Sequence, residues 1–307
     1  MRIAVVGAGG VGGGFGAALA HAGADVTFIA RGAHLAAMRS EGLKVQGGRG
    51  ESYLVPTQAT DDPASIGPVD VVLFCVKLWD VESAGAHIKP MVGPDTAVIP
   101  LQNGIDAPDR LIPILGRNAV MGGVAQISAS IIKPGVINQV GSFMRMIFGE
   151  LDGSVTPRGK ALLELCLKAG FDATLSEAII TDLWMKFVGL ATNAGMTAVT
   201  RQPIGRLRDD PDLRPFFVSA CEETVAVARA SGIKLPPDAL EKVLDFIGHA
   251  PPAMKASMAL DLERGNRLEL PWLNGKVVEL GRKLGVATPT HDMLYAVLKP
   301  YAMGAPA

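Results

Sequence analysis

The first 31 residues constrain the fold of this chain more than any other stretch. Residues 2–6 form a short apolar run, a glycine-rich turn follows, and an alanine-rich amphipathic segment extends to about residue 22, before a second apolar run at residues 24–30. The turn reads GAGGVG and has the spacing G-x-G-x-x-G. A strand, a glycine turn, a helix and a second strand in this order predict the opening unit of a parallel α/β sheet.

The glycine turn also predicts a dinucleotide site. Gly7 allows the chain to turn sharply, Gly9 leaves the backbone open to a pyrophosphate, and Gly12 allows the helix to pack closely on the sheet. The phosphates would meet amide groups that have no partner within the helix, at the positive end of its dipole. Glycine turns without a nucleotide are common, but the flanking strand and helix favour the dinucleotide. The residues expected to bind the cofactor are Gly7, Ala8, Gly9, Gly10, Val11 and Gly12.

The end of the second strand indicates which dinucleotide binds. An acidic residue at this place would hold the ribose 2′-hydroxyl of NAD, but the chain has Arg31, followed by Gly32. The guanidinium group of an arginine binds phosphate oxygens in pairs and stacks on adenine, so it suits the 2′-phosphate of NADP. A solvated surface arginine is the alternative, and the diagnostic position favours NADP.

Composition limits the remaining classes. The chain has 307 residues, enough for two domains, with 49% hydrophobic and 19% charged residues. Its net charge of −1 gives no reason to expect nucleic acid or an anionic membrane as a partner, and no apolar run reaches the ~20 residues of a membrane span. The three cysteines lack C-x-x-C spacing and the five histidines lack metal-ligand spacing. We expect a cytoplasmic protein without a bound metal.

The pattern along the chain changes near residue 177. Before it, we expect strands at 69–76, 97–101 and 119–127, further strands near the sheet edge at 135–141 and 144–149, and a helix at 156–169. After it, apolar residues recur with helical spacing at 178–198, 215–231, 238–246, 268–284 and 289–298. The predicted fold class is α/β. A Rossmann-type, NADP-binding parallel-sheet domain would span residues 1–175, and an all-α substrate and catalytic domain would span residues 176–307.

Polar residues follow two of the expected parallel strands. Lys77 comes directly after the strand at 69–76, and Gln102 and Asn103 follow the strand at 97–101. Ligands of open parallel sheets bind beyond the carboxyl ends of the strands, which favours a functional role for Lys77 and Asn103 over a solvated loop and a simple turn.

The first long C-terminal helix contains Lys186 in the apolar context LWMKFVGLA. Desolvation would lower the pKa of this lysine and suit it to proton transfer, although a lysine snorkelling from an amphipathic helix is the commoner case. Asn193 lies nearly two turns further on, and so faces the same side. Ser257 and Asp261 are one helical turn apart on one face and, taken alone, look like a solvated surface.

Taken together, these residues resemble one family. The matching segments are GAGGVG at 7–12, Arg31, VK at 76–77, QNG at 102–104, LWMKF at 183–187, TAVTR at 197–201 and SMALDLERGNRLELPWLNG at 257–275. In this ordered set, the sequence resembles ketopantoate reductases (2-dehydropantoate 2-reductases) over essentially its whole length.

The resemblance implies hydride transfer from NADPH to a 2-keto acid, as in pantothenate biosynthesis. It implies that Lys186 is the general acid, that Glu269 holds this lysine in place, and that Asn103 contacts both substrate and nicotinamide. Ser257 and Asp261 would line the substrate pocket, and Lys77 and Gln102 would lie on the cofactor side. Burial would lower the pKa of Lys186 and Glu269 would raise it, and the sequence leaves open which effect is larger.

One departure from the family keeps the substrate open. Leu190 and Ala194 stand where the family has asparagines, one and two turns after the lysine, and Asn193 is the neighbouring amide that could replace the second. The alternatives are therefore reduction of another 2-keto acid or ketone, and a non-catalytic NADP-binding regulatory protein. A 3-hydroxyacid dehydrogenase is disfavoured by Arg31 and by the segment that begins SMALD at residue 257. Helical domains of this kind often form homodimers, and the sequence leaves the oligomeric state open.

Overall fold

The computed structural model describes residues 1–48, 53–55 and 57–305. The chain divides into two compact units. Unit 1 comprises Met1–Gln102 and Asp106–Ile179, and unit 2 comprises Asn103–Ile105 and the chain from Ile180 onward. Unit 1 combines parallel strands with helices, and unit 2 is helical. The predicted fold class is confirmed.

Unit 1 contains both strands and helices. Its strands are β1 (Arg2–Val6), β2 (Asp25–Ile29), β3 (Leu43–Gly47), β4 (Tyr53–Val55), β5 (Gln58–Thr60), β6 (Val69–Phe74), β7 (Val92–Pro100), β8 (Met121–Lys133), β9 (Val136–Glu150) and β10 (Asp172–Leu175). Its helices are α1 (Gly10–His21), α2 (Gly32–Glu41), α3 (Val81–His87), α4 (Ala107–Leu115) and α5 (Pro157–Lys168).

The first sheet carries the glycine turn. Its strands are all parallel, in the order β5–β2–β1–β6–β7. The central strands β1 and β6 are buried at nearly every position, as expected of parallel strands that are covered on both faces. Since parallel strands end at the same edge, Gly7, Lys77 and Gln102 all follow strand ends at that edge.

A second sheet corrects the expectation for residues 119–149. The predicted edge strands at 135–141 and 144–149 are one strand, β9, and it lies in a separate sheet of order β10–β9–β3–β4, with β8 antiparallel to β9. Between the pairs Ile127–Met144 and Ala129–Gln139 the register shifts, so residues 140–143 bulge without ending the strand. The glycine at position 141 (φ +70°) suggests a strand end in the sequence, but it sits inside this bulge.

Helix α1 packs between the two sheets. On one side, a Cβ atom at Gly16 would meet the ring of Phe28 at 2.6 Å and Val5 at 2.8 Å, both in the first sheet. On the other side, a Cβ atom at Gly14 would meet Ile127 at 2.7 Å, and one at Gly13 would meet Ile137 at 2.9 Å, both in the second sheet. The glycines of α1 therefore allow a sheet to approach each face of the helix.

Unit 2 contains α6 (Ile179–Thr200, which begins at the last residue of unit 1), α7 (Ile204–Asp209), α8 (Leu213–Ala230), α9 (Ala239–Gly248), α10 (Ser257–Glu263), α11 (Asn274–Leu284) and α12 (Pro289–Leu298). The helix expected at 268–284 begins as a separate 3-10 turn at Leu270–Trp272, because Pro271 has no N–H to continue an α-helix. The short helix α7 was not predicted, while α10 is the helix on which Ser257 and Asp261 were expected to share a face. The core of unit 2 includes Trp184 and Phe187, whose rings meet edge to face.

Three further observations concern the described residues as a whole. No helix within them combines the length and apolar character needed to cross a membrane. In the same ranges, no three His, Cys, Asp or Glu side chains are grouped so that they could hold a metal ion. Cys75, Cys166 and Cys221 are free thiols.

Candidate active site

The glycine turn of unit 1 adopts a conformation that requires its glycines. Gly7 has a φ of +90°, and a Cβ atom there would lie 2.9 Å from the backbone of Cys75, where β6 ends. A Cβ atom at Gly12 would collide with the carbonyl oxygen of Gly7. By contrast, a Cβ atom at Gly9 would meet nothing within 4 Å. The turn is therefore closely packed except over Gly9, the residue predicted to face a pyrophosphate.

Arg31 lies between β2 and α2. Its backbone is extended and its side chain is exposed, and its carbonyl oxygen accepts a hydrogen bond from the N–H of Leu35 at 3.3 Å. Gly32 follows with a φ of +56°, which lets the chain enter the helix directly after Arg31. An exposed cation at the end of a parallel strand beside the glycine-turn strand is compatible with a phosphate ligand.

Lys77 and Gln102 have different surroundings at the same sheet edge. Lys77 is exposed, and its Nζ atom lies 5.5 Å from the ring centroid of Trp79, a cation–π distance. Gln102 is buried, and its Nε2 atom donates to the carbonyl oxygens of Phe74 (2.9 Å) and Val76 (3.1 Å). Gln102 thus links the end of β7 to the end of β6. This structural role is separate from the cofactor contact that the sequence predicts for Gln102.

In unit 2 the structure brings Lys186 and Asn103 together. Lys186 lies on α6 with a half-buried side chain, and its Nζ atom donates a hydrogen bond to Oδ1 of Asn103 at 3.0 Å. Gly104 follows Asn103 with a φ of +99°, a backbone conformation that favours glycine. Trp184 and Phe187, both buried, flank the lysine on α6. The ammonium group is therefore held by an amide oxygen in largely apolar surroundings.

Glu269 is the buried acidic residue that acts on this lysine. It is 6% exposed and precedes the 3-10 turn at Leu270–Trp272. Burial lowers the pKa of Lys186 to about 8, while the negative charge of Glu269 opposes this shift. Burial therefore affects the pKa of Lys186 more than the charge of Glu269 does. As a result, the lysine gives up its proton more readily than a solvated lysine.

The residues that follow Lys186 on α6 are mostly apolar. Leu190 and Ala194 pack in the same apolar cluster as Trp184. Asn193 is 9% exposed, and its Oδ1 atom has no hydrogen-bond partner among the described residues. An unpartnered buried amide oxygen is unfavourable by about 1–3 kcal/mol, so it is a natural acceptor for a ligand hydroxyl or a water.

Ser257 and Asp261 both lie on α10. Ser257 is exposed, between Ala256 and Met258, which belong to the apolar cluster around Trp184. Asp261 accepts a hydrogen bond from the side chain of Asn266 at 3.1 Å, and its carbonyl oxygen accepts the N–H of Asn266 at 2.8 Å. Asp261 therefore helps to close the turn after α10.

Two side chains that sequence patterns do not single out contact the glycine turn and the segment after Lys77. His34, on α2, makes a hydrogen bond to the carbonyl oxygen of Ala8 in the glycine turn. Arg110, on α4, donates to the carbonyl oxygen of Leu78 and pairs with Glu82, which fixes the chain just after Lys77. These hydrogen bonds join residues far apart in sequence, so local sequence patterns do not predict them.

Comparison with known proteins identifies the family. A model of the ketopantoate reductase PanE/ApbA family matches residues 3–153, and the model of its C-terminal domain matches residues 178–302. The chain belongs to the PanE/ApbA ketopantoate reductase family. Membership in this family makes it an oxidoreductase.

Individual relatives and solved structures align over nearly the whole chain. A 2-dehydropantoate 2-reductase of Mesorhizobium japonicum is 29% identical, over 99% of this chain and 98% of its own. The crystal structure of a PanE/ApbA family ketopantoate reductase from Ralstonia eutropha JMP134 has a TM-score of 0.89 and 32% identity, with 98% of each chain covered. A D-mandelate dehydrogenase with NADH and anilino(oxo)acetate, at 22% identity, shares the fold with a TM-score of 0.90 and 98% of each chain covered.

Proposed function

We propose that this protein catalyses the NADPH-dependent reduction of 2-dehydropantoate to pantoate, a step of pantothenate biosynthesis, with Lys186 as the general acid. The observation that carries the proposal is the hydrogen bond from Lys186 to Asn103, made by a half-buried lysine whose charge Glu269 supports. Family membership supports the reaction class. A protein that only bound the cofactor would have no need of this arrangement.

The residues of unit 1 fit a bound NADPH. The open side of Gly9 leaves room for a diphosphate at the N-terminus of α1, and Arg31 offers a guanidinium group to a 2′-phosphate. The glycine-turn segment 7–12, Arg31 and Lys77 would hold the cofactor, while Gln102 would act through the ends of β6 and β7. When bound, the nicotinamide supplies the hydride that reduces the substrate carbonyl carbon.

Lys186 then supplies the proton. Negative charge develops on the carbonyl oxygen during reduction, and an ammonium group stabilises that charge and donates a proton from Nζ to the oxygen. With a pKa of about 8, Lys186 is mostly protonated at neutral pH yet releases its proton more easily than a solvated lysine. Asn103 fixes the direction of the Nζ donor, and Glu269 favours its protonated form.

The remaining residues of the proposed site would select the substrate. Asn193 would accept a hydrogen bond from the hydroxyl group of 2-dehydropantoate through its unpartnered Oδ1 atom. The hydroxyl of Ser257 would donate to the substrate carboxylate, and Asp261 would hold the turn that follows it.

A second candidate is the reduction of another 2-keto acid with an apolar side chain. Leu190 and Ala194 support it, because they present hydrocarbon rather than amide groups on the face of α6 that follows Lys186. A site with fewer hydrogen bonds to a substrate hydroxyl discriminates less against analogues that lack it.

The test is NADPH oxidation with 2-dehydropantoate beside 3,3-dimethyl-2-oxobutanoate, the same skeleton without the hydroxyl group. We expect 2-dehydropantoate to give the higher kcat/KM. We also expect NADPH to be preferred over NADH, the cofactor bound in the structure of the D-mandelate dehydrogenase of the same fold. A higher kcat/KM for the analogue would favour the second candidate. Binding of NADPH without turnover of any 2-keto acid would indicate a non-catalytic NADP-binding protein.

A further inference from the structure

His34 joins two segments of unit 1 that are far apart in sequence. It lies in the first turn of α2, three residues after Arg31, and is half-buried. Its Nε2 atom lies 2.9 Å from the carbonyl oxygen of Ala8 in the glycine turn. Its Nδ1 atom lies 3.0 Å from the backbone nitrogen of Gly135, in the turn between β8 and β9. No role in the proposed reaction has so far been assigned to this side chain.

The two contacts determine which nitrogen of His34 carries the proton. The backbone N–H of Gly135 is a donor, so Nδ1 must be the acceptor. In the neutral imidazole the proton is then on Nε2, which donates to the carbonyl oxygen of Ala8. His34 therefore makes one accepted and one donated hydrogen bond, and each leads to a different segment.

The bond to Ala8 fixes the direction of a peptide group in the glycine turn. The peptide between Ala8 and Gly9 is trans, so its C=O and N–H point in opposite directions. Because the carbonyl oxygen points to His34, the N–H of Gly9 points away from it. The glycines on both sides of Ala8 have no side chains that could hold this peptide, so a hydrogen bond from another side chain is an effective way to hold it.

We propose that His34 is a positioning residue for the cofactor: it holds the Ala8–Gly9 peptide so that the N–H of Gly9 faces the cofactor diphosphate. The proposal rests on the proposed function, since it needs a dinucleotide at the glycine turn. A correctly oriented N–H forms a charge-assisted hydrogen bond to a phosphate oxygen, one of the stronger classes of hydrogen bond. His34 thus acts on the diphosphate, while Arg31, directly before the same helix, serves the 2′-phosphate.

The test separates the two bonds of His34 by substitution. In His34→Gln, the side-chain Nε2 donor still reaches Ala8 but nothing accepts from Gly135; in His34→Asn, Oδ1 still accepts from Gly135 but nothing reaches Ala8. We expect His34→Asn and His34→Ala to weaken NADPH binding about tenfold, and His34→Gln to bind within about twofold of the wild type. Binding is measured by titration of NADPH fluorescence, without turnover, and thermal unfolding checks that each variant is folded.

A ligand without a diphosphate shows where His34 acts. Adenosine 2′-phosphate should bind wild type and His34→Ala equally, because it uses Arg31 but not the glycine turn. The control is His87→Asn, which removes an exposed histidine that also lies near a backbone carbonyl, at 3.2 Å from Asp61, and should leave both ligands unaffected.

Three results would overturn the inference. NADPH affinity retained in His34→Ala would show that the peptide needs no support. NADPH affinity retained in His34→Asn but not in His34→Gln would show that the bond to Gly135 is the important one. Equal losses of affinity for NADPH and adenosine 2′-phosphate in His34→Ala would show that the substitution acts by disturbing α2. A wild-type protein that binds no NADPH would contradict the proposed function itself, and the role of His34 with it.

Discussion

The Nζ atom of Lys186 donates a hydrogen bond at 3.0 Å to the side-chain oxygen of Asn103, a residue 83 positions earlier in the chain. The acceptor is a neutral amide and not a carboxylate, so it orients the ammonium group without adding a negative charge. Among the described residues, the carboxylate of Glu269 has a clear effect on the pKa of this lysine, and it only partly offsets the effect of burial. This combination gives a lysine with a fixed donor direction and a pKa of about 8.

Removal of the lysine should abolish chemistry but not cofactor binding. We expect Lys186→Ala to lower kcat by about 10³-fold, since general acid catalysis contributes on the order of 10²–10⁴-fold. The affinity for NADPH should stay within about twofold, because the proposed cofactor residues of unit 1 are unchanged. Steady-state rates and NADPH titration measure the two effects. Lys242→Ala, at an exposed lysine on α9, is the control, and equal rates in the two variants would exclude Lys186 as the acid.

The pH dependence should report the charge of Glu269. The acid must be protonated to act, so kcat/KM should fall as the pH rises above about 8, the pKa of Lys186. The carboxylate of Glu269 raises this pKa, so in Glu269→Gln the fall should begin at a lower pH, while the rates at low pH approach those of the wild type. Glu279→Gln, at an exposed position on α11, should leave the profile in place. A shift to higher pH in Glu269→Gln would contradict the assigned role.

The preference for NADPH should depend on Arg31. In Arg31→Ala, KM for NADPH should rise at least about tenfold while KM for NADH changes little, because only NADPH carries the 2′-phosphate that the guanidinium group would bind. The matched control is Arg39→Ala, at the other end of α2, whose guanidinium group binds the carbonyl of Ala59. Equal losses for both cofactors in Arg31→Ala would mean that Arg31 does not read the 2′-phosphate.

Two adjacent glycines should respond to alanine in opposite ways. Gly9→Ala should fold normally, since its φ of −72° suits alanine and its new methyl group meets nothing, but it should weaken NADPH binding about tenfold by occupying the diphosphate side. Gly10→Ala should be destabilised by about 2 kcal/mol, because the methyl group would collide with the carbonyl oxygen of Ala129. Thermal unfolding and NADPH titration of both variants distinguish the effects. A destabilised Gly9→Ala that binds NADPH normally would be the contrary result.

Substrate preference should respond to the apolar face of α6. Leu190→Asn should raise the ratio of kcat/KM for 2-dehydropantoate to that for 3,3-dimethyl-2-oxobutanoate by about tenfold, because a new amide would hydrogen-bond the hydroxyl that only the first substrate has. Leu190→Met keeps the apolar character and should leave the ratio unchanged. An unchanged ratio in Leu190→Asn would show that position 190 does not meet the substrate hydroxyl.

Local patterns in the sequence predict much of the fold. The glycine spacing at residues 7–12 and the apolar runs around it predict β1, α1 and β2 because these elements follow from short-range geometry. Long helices such as α6 and α8 follow from helical periodicity for the same reason. The second sheet was missed because β8 and β9 look like any edge strands in sequence, and only their packing on α1 shows which sheet they join.

Sequence patterns indicate some candidate site residues singly, but they do not show how these residues are arranged. Lys186 and Asn103 were selected on separate local grounds, and the hydrogen bond between them depends on tertiary packing. The direction of the pKa shift of Lys186 likewise depends on how deeply this side chain is buried, and the extent of burial follows from tertiary packing rather than from local sequence. The sequence does not indicate the role of His34, because both of its hydrogen-bond partners are backbone groups. Every residue except proline has the same backbone groups, so a sequence pattern does not distinguish these partners.

The position of α1 between two sheets has a consequence for how unit 1 comes apart. Residues of this helix, of β1 and of β9 share one apolar core, which includes Phe15, Val5 and Ile137. Neither sheet can separate from α1 without exposing part of that core, so the two sheets unfold cooperatively. The backbone amides of α1 should therefore exchange with solvent deuterium only when the whole unit opens, and they should be among the slowest to exchange.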